Sequence, residues 1–439
     1  MRIDRIDLWH VAVPLPAPFH PSWIPGFRQE ENRFDLLRLR TSDGIEGWSA
    51  MPSMGREREG WGQLLGSYFL GERADDLAGI RQRIRELGYI GHRGGGLVEP
   101  ACWDIVGKAR NKPVYELLGG SGGEVLLYAS TGEVKTGPQR VEEIAARVAE
   151  GFDCVKLRVH DRTLEEDLSQ LRAAREAFPD LKMGVDANMG WRVAAIADCV
   201  KWDYDRALAF CRGAEELGFA WVEEPLPQDD YEGLAKLTAE TDILIAGGEL
   251  NNQGLPEATH MIERRCYDWF QPDAVMVGGI SETVAIARRA KAAGVAYSPH
   301  TWTNGIGFAI NLQIFGAIGE RHKHLEYPID PPGWVVEGRD GLLAQPFHHT
   351  RGRLQMPTGP GLGFEIDGAQ LNRFGNHFYT ATKLRVAIST VWDRGIPLAK
   401  HLGAVRQARL DARTAELDAA TAKGKDVFLD ALDELAPKA

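Results

Sequence analysis

The 439-residue chain is poor in cysteine, and the five it has, Cys102, Cys154, Cys199, Cys211 and Cys266, are scattered without a CxxC pair. An odd, unpaired set argues against a disulfide framework and against a cysteine-based zinc site, and points to reduced thiols in a cytoplasmic protein. Long hydrophobic runs are missing as well: no apolar stretch nears the roughly 20 residues that cross a bilayer. The N-terminal MRIDRIDLWHVAVPLP alternates like a strand and has no apolar segment with a small-residue cleavage site, so neither signal peptide nor membrane anchor is expected. Positive charge is in deficit, 51 Lys and Arg against 62 Asp and Glu for a net charge of -11, which offers no basic face to a phosphate backbone. Nucleic acid is not an expected partner. The RGGG of residues 93–96 has no strand before it, so a phosphate-cradling turn is not expected either.

What is present is ordinary for a large globular protein, with 44% hydrophobic and 26% charged residues, enough chain for two domains or a barrel with additions. Residues 1–122 read as mixed α+β, with the strand-like RIDRIDLWHVAV, the loop PLPAPFHPSWIPGF and a hairpin turning at Asp43-Gly44. Residues 123–345 alternate short apolar runs with amphipathic segments. VLLYAS, CVKLRV, LKMGVDA, AWVEEP, ILIAGGE, DWFQPDA, VAYSPH and HLEYP are the strand candidates, at a spacing that favours a parallel barrel over an open sheet. Residues 346–375 contain the glycine-rich PTGPGLGFEIDG, and 376–439, rich in Ala, Leu, Arg, Asp and Glu, are expected to be a helical extension.

Polar residues recur at the C-terminal ends of those strand candidates: Lys156 and Arg158, Asp186 and Asn188, Glu223 and Glu224, Glu249, Asp273, His300 and Glu326. A barrel gathers such ends on one face. A lone acid there is more often a solvated loop residue or a helix cap, but several brought together repel one another unless a cation compensates them. Asp186, Glu223 and Glu249 supply the oxygen donors that Mg²⁺ prefers.

The ordered series KLR, VDANMGW, WVEEP, GGE, QPDAVMVGGIS, SPH and LEYP, with ACWDIVGKARNKPVYELLGG before it and PGLGFEID after it, resembles the enolase superfamily and its mandelate racemase/muconate lactonizing enzyme branch. The resemblance spans roughly residues 1 to 370. It implies an α+β capping domain over a modified TIM barrel, (β/α)₇β, with a segment after the barrel returning to the cap. It implies Asp186, Glu223 and Glu249 as Mg²⁺ ligands, Glu224 near substrate, Asp273 orienting His300 as the acid or base, Glu326 bonded to the substrate carboxylate, and Lys156 as the first residue of a Lys-x-Lys pair. Arg158 departs from that pair. An arginine is a poor proton acceptor, so a two-base racemase gives way to a one-base acid-sugar dehydratase acting on an aldonate or aldarate.

Smaller signals complete the expectation. His20, Trp23, Arg56 and Arg58 on cap loops, and Trp302 and Asn304 after the SPH motif, could meet a polyol chain. His92, His160, His260, His322, His324, His348 and His349 read as surface or structural. An epimerase or cycloisomerase on the same site and a non-catalytic metal-binding scaffold are the rival readings, and a homo-oligomer acting on a small carboxylate is the expected assembly.

Overall fold

The computed structural model describes residues 1–53, 61–89, 94–191, 197–251, 253–320 and 323–436. The alternation at the N-terminus becomes β1 (Ile3–Phe19), followed by β2 (Gln29–Thr41) and β3 (Glu46–Pro52), paired antiparallel in sequence order. The expected hairpin turns at Asp43-Gly44, where Gly44 takes φ +86°, a left-handed value that a side chain resists. One face of this sheet buries Ile6, Leu8, Leu37 and Leu39 with Ala101 and Ile105 of the helix Val98–Ala109. Gly47 permits that approach, because a Cβ there would lie 2.1 Å from the Ala101 carbonyl oxygen.

The apolar runs that follow form β4 (Glu124–Ser130), β5 (Cys154–Arg158), β6 (Lys182–Asp186), β7 (Trp221–Glu223), β8 (Leu244–Gly247), β9 (Trp269–Phe270), β10 (Ala296–Tyr297) and β11 (His324–Pro328). They lie parallel in the order β10-β9-β8-β7-β6-β5-β4-β11. At the two ends of that order, Ser298 Oγ donates to the His324 carbonyl at 3.1 Å. Helices Gly137–Ala149, Leu164–Ala177, Tyr204–Glu216, Tyr231–Glu240, Leu255–Glu263, Ile280–Ala292 and Gly305–Ile318 follow β4 through β10 in turn, which is the expected βα alternation.

The two-residue period of a strand decides which side chains enter the site. On β5, Val155 and Leu157 join the large core shared with the helices, while Cys154 packs with Tyr128, Trp221, Ala246 and Trp269. Lys156 and Arg158 share the parity of Cys154 and so project on its side. Gly184 on β6 makes room for this cluster: a Cβ there would sit 2.1 Å from the Trp221 ring.

After the barrel, β12 (Arg353–Gln355) adds antiparallel to β4, and β13 (Gly375–Thr382) adds antiparallel to β1, giving the cap sheet the order β13-β1-β2-β3. Here the structure departs from expectation. The extension expected to be helical from 376 opens as a strand, and the strand that rejoins the cap lies beyond the 346–375 segment. NHFYTAT is aromatic and β-branched, a sequence suited to a half-buried sheet edge once β1 is there to pair with it. Helices Lys383–Arg394, Ile396–Ala422 and Val427–Leu435 then complete the chain.

Candidate active site

The parallel register sets Arg158 beside Asp186 and Asp186 beside Glu223, while Ser130 of β4 lies beside Lys156. Buried charges therefore meet partners. Lys156 Nζ donates to Glu223 Oε1 at 2.6 Å and to Glu326 Oε1 at 2.7 Å, with Asp186 Oδ2 at 3.5 Å. Burial works against its charge, but the carboxylates of Glu223 and Glu326 outweigh it and raise the ammonium pKa. Arg158 donates through Nε to the Thr131 carbonyl at 2.7 Å and through its guanidinium to Asp186. Its guanidinium carbon lies 5.4 Å from the ring centroids of both Trp23 and Trp302, a cation–π contact with each.

Across the site, His300 Nδ1 is 2.9 Å from Asp273 Oδ2 and Nε2 is 3.3 Å from Glu249 Oε2. Asp273 is fixed in turn, its Oδ1 accepting from Asn311 Nδ2 at 2.7 Å and from the Val275 amide at 3.0 Å. Burial lowers the imidazole pKa, but Glu249, Glu326 and Asp273 outweigh it and lift it to about 10. Glu326 accepts from Lys156, from Ser130 Oγ at 2.8 Å and from the Thr301 amide at 2.7 Å. Against burial, Lys156, His300 and Arg158 hold its carboxyl at about 2. In this arrangement Glu326 is an ionised acceptor that anchors Lys156.

The remaining acids carry more negative charge than the neighbouring cations balance. Burial, then repulsion from Asp186 and Glu326, raises Glu223 to about 8 despite Lys156. Burial also raises Glu249 and, most strongly, Glu224, which has φ +49° and no hydrogen-bond partner for either carboxylate oxygen among the described residues. Among the described residues no three His, Cys, Asp or Glu side chains are gathered as a closed metal cage: Lys156 stands between Glu223 and Asp186, and Glu249 leans on His300. Oxygen-only donors with surplus negative charge still suit a hard divalent cation, which would relieve the repulsion that raises Glu223 and Glu249.

The loop residues divide. Trp302 stacks on Phe19 with ring centroids 5.6 Å apart and donates from Nε1 to Ser130 Oγ at 2.7 Å; Trp23 meets it edge-on at 5.1 Å. Asn188, at φ +51°, accepts from Ser22 Oγ at 2.6 Å, so it pins the cap loop to the barrel. His20 points away, 57% exposed and 3.5 Å from Glu133. Asn304 caps the helix Gly305–Ile318, accepting from the amides of Ile306 and Gly307. His160 is buried and meets the Ser22 carbonyl at 2.7 Å, a structural role. Arg56, Arg58, His92 and His322 lie outside the described residues.

Sequence reasoning missed Ser130, Thr131, Gln271 and Asn311. Gln271, which donates to Glu223 Oε2 at 3.0 Å, was readable: it stands two positions before Asp273 and shares its parity. Thr131 acts through its backbone carbonyl and Asn311 from a distant helix, and neither leaves a mark in the local sequence.

At the ends of the parallel strands, then, paired cations face an Asp–His couple across a cluster of carboxylates, under a loop of the cap. Comparison with known proteins identifies the family. Residues 6–119 match the mandelate racemase/muconate lactonizing enzyme N-terminal domain and residues 139–370 the enolase C-terminal domain-like model, and the chain belongs to this family of the enolase superfamily. Its fold is that superfamily's, an N-terminal capping domain with a C-terminal barrel domain. The D-galactarolactone cycloisomerase of Agrobacterium fabrum is 30% identical over 395 residues, 85% of this chain and 99% of the relative. The L-talarate/galactarate dehydratase of Salmonella typhimurium is 28% identical over 83% of this chain and 89% of its own. Among solved structures, L-talarate dehydratase from Polaromonas sp. JS666, complexed with Mg and L-glucarate, superposes with a TM-score of 0.70 at 25% identity, covering 87% of this chain and 98% of that one.

Proposed function

We propose that this chain is a Mg²⁺-dependent acid-sugar dehydratase that converts an aldonate or aldarate to a 2-keto-3-deoxy acid. The observation that carries the reading is the asymmetry of the two sides. Arg158 is committed to Thr131, Asp186 and two indole faces, so His300 is left as the group able to give and take a proton.

Asp186, Glu223 and Glu249 would hold the metal, which would supply Lewis-acid stabilisation of the substrate carboxylate as enolate charge develops. Lys156 steadies the same charge as a buried cation, and Arg158 fixes a carboxylate or hydroxyl oxygen through its planar donors. His300 removes the proton on C2, and its electron pair moves into the carbon framework. Once protonated, His300 delivers that proton to the C3 hydroxyl as the C3–O bond breaks, releasing water and an enol that becomes the 2-keto acid. Asp273 holds the tautomer of His300 throughout.

The mixture of dehydratases and a cycloisomerase among the relatives supports one alternative, a cycloisomerase or epimerase that uses the same enolate. Free, mostly buried thiols support a reducing, cytoplasmic setting, and a homo-oligomer is the expected form. The deciding experiment runs a panel of aldonic and aldaric acids in deuterated water with Mg²⁺. One C2 epimer should yield 2-keto acid, and His300→Asn should abolish exchange of its α-proton. Racemisation without loss of water, or exchange that survives His300→Asn but vanishes in Arg158→Met, would overturn the one-base dehydratase.

A further inference from the structure

The family match ends at residue 370, and 85% of this chain accounts for 99% of the cycloisomerase relative, so the helices after β13 are additions to the shared enzyme. Part of this addition is anchored. Helix Ile396–Ala422 is clamped to the cap from Arg406 onward, a stretch in which Leu410 and Leu417 are buried. There Arg413 Nε meets Asp76 at 2.8 Å, Arg409 meets Glu72, and Arg406 donates to the Leu70 carbonyl at 2.6 Å. Helix Val427–Leu435 buries Phe428 against Trp103 at 4.6 Å.

The other part is held on one side only, where Val386 packs on the cap core and Gln63 Nε2 donates to Ser389 Oγ at 2.7 Å. Helix Lys383–Arg394 has no buried residue, and it turns at Gly395 into the unclamped first half of the next helix. Trp392 is 90% exposed, Leu384 70%, Ile388 60% and Val391 38%, and the positions 384, 388, 391 and 392 fall on one helical face. Leu398, Leu402 and Val405, exposed by 43%, 45% and 54%, repeat the same i, i+4, i+7 spacing on the second helix. Scaled by whole side-chain areas, this is on the order of 650 Å² of apolar surface, close to the share one partner contributes to a stable interface. A patch of that size on a rigidly anchored hairpin marks a contact site.

We infer that this helical hairpin is a self-association surface, on which the hairpin of a second copy of the chain docks about a two-fold axis to complete a four-helix bundle. Two apolar stripes at coiled-coil-like spacing form half of such a bundle, and a two-fold axis supplies the identical other half. The competing occupant is an anionic lipid surface, because residues 383–405 carry Lys383, Arg385, Arg394 and Lys400 against Asp393 alone. The net charge of -11 on the whole chain opposes that partner.

Sedimentation velocity on the full chain and on Ile388→Glu and Leu402→Glu tests the inference, with thermal melting to confirm that each variant folds and Trp392→Ser as a milder third. The expected result is a twofold lower mass in the variants with turnover intact, together with amide protection over residues 384–405 that falls on dilution of the unaltered chain. A monomeric unaltered chain, or an unchanged mass in all three variants, overturns it. So does co-sedimentation with phosphatidylserine vesicles that the variants lose while their mass stays the same, which would assign the face to lipid.

Discussion

Asp273 holds His300 from behind: Oδ2 of the aspartate lies 2.9 Å from Nδ1 of the imidazole, and Asn311 and the Val275 amide bind the other carboxylate oxygen. The second ring nitrogen, Nε2, is thereby turned toward Glu249 and the open site. Asp273→Asn keeps the shape but offers an amide that cannot stabilise the imidazolium and can impose the wrong tautomer. We expect kcat to fall by about two orders of magnitude or more with KM little changed, and the pH–rate profile to lose the limb belonging to His300. A profile unchanged in shape would remove Asp273 from the proton-transfer unit.

The carboxylate cluster predicts that the protein is stabilised by its metal. If Mg²⁺ binds the native state through Asp186, Glu223 and Glu249, a concentration 100 times Kd adds about 2.7 kcal/mol, read as a thermal transition several degrees higher. Chelation should reverse the gain. Calorimetric titration of a folded Glu249→Gln should show binding weakened at least tenfold, and unaltered affinity in that variant would take Glu249 out of the ligand set.

Much of this site was legible because strand ends carry it. KLR, VDA, VEE, GGE, QPD, SPH and LEY each place a polar residue at the end of an apolar run, and parallel register does the rest. Loops were less readable. His20 and Trp23 lie three residues apart, yet one faces Glu133 at the surface and the other closes on Arg158, a difference set by how the cap loop meets the barrel. The strand character of residues 375–382 depends on β1, more than 360 positions earlier in the chain (Arg5 opposite Thr382), and no local pattern reports such a partner.

That long-range pairing predicts an acid sensitivity. Asp7 on β1 accepts from Arg5, from Arg38 on β2 and from Thr380 on β13, with Arg38 Nη2 at 2.8 Å and Thr380 Oγ1 at 2.5 Å. Burial pushes its carboxyl up, but these bonds outweigh burial and hold it at about 2, below the roughly 3.9 of an unfolded aspartate. A depressed carboxylate pKa gives stability that is complete above about pH 4 and is lost as the pH falls through about 2. Discounted for solvent screening through the partly exposed Arg5 and Arg38, the contribution is on the order of 1 kcal/mol. Asp7→Asn should lower the urea midpoint at pH 7, and the gap to the unaltered protein should close towards pH 2. A gap constant with pH would show that ionisation of Asp7 contributes nothing.

Arg158 should tolerate loss of an indole NH better than loss of its own shape. Its fork serves Thr131 and Asp186 while its carbon lies 5.4 Å from two neighbouring indole rings, and a lysine ammonium can satisfy the charge but not both the fork and the rings. The lost charge-assisted bonds, about 1.5–3 kcal/mol, correspond to a fall in kcat/KM of roughly ten- to a hundredfold for Arg158→Lys. Because Asp186 raises the pKa of any cation there, that lysine should stay protonated and should not open α-proton exchange from the opposite C2 epimer. Trp302→Phe keeps an aromatic ring beside Arg158 and removes the bond to Ser130 Oγ with part of the packing on Phe19 and Trp334, so its cost should still be several-fold smaller. Steady-state kinetics and deuterium exchange on the two variants decide the matter: exchange gained by Arg158→Lys would mean that the geometry is that of a two-base site, held to one-sided chemistry only by the identity of residue 158.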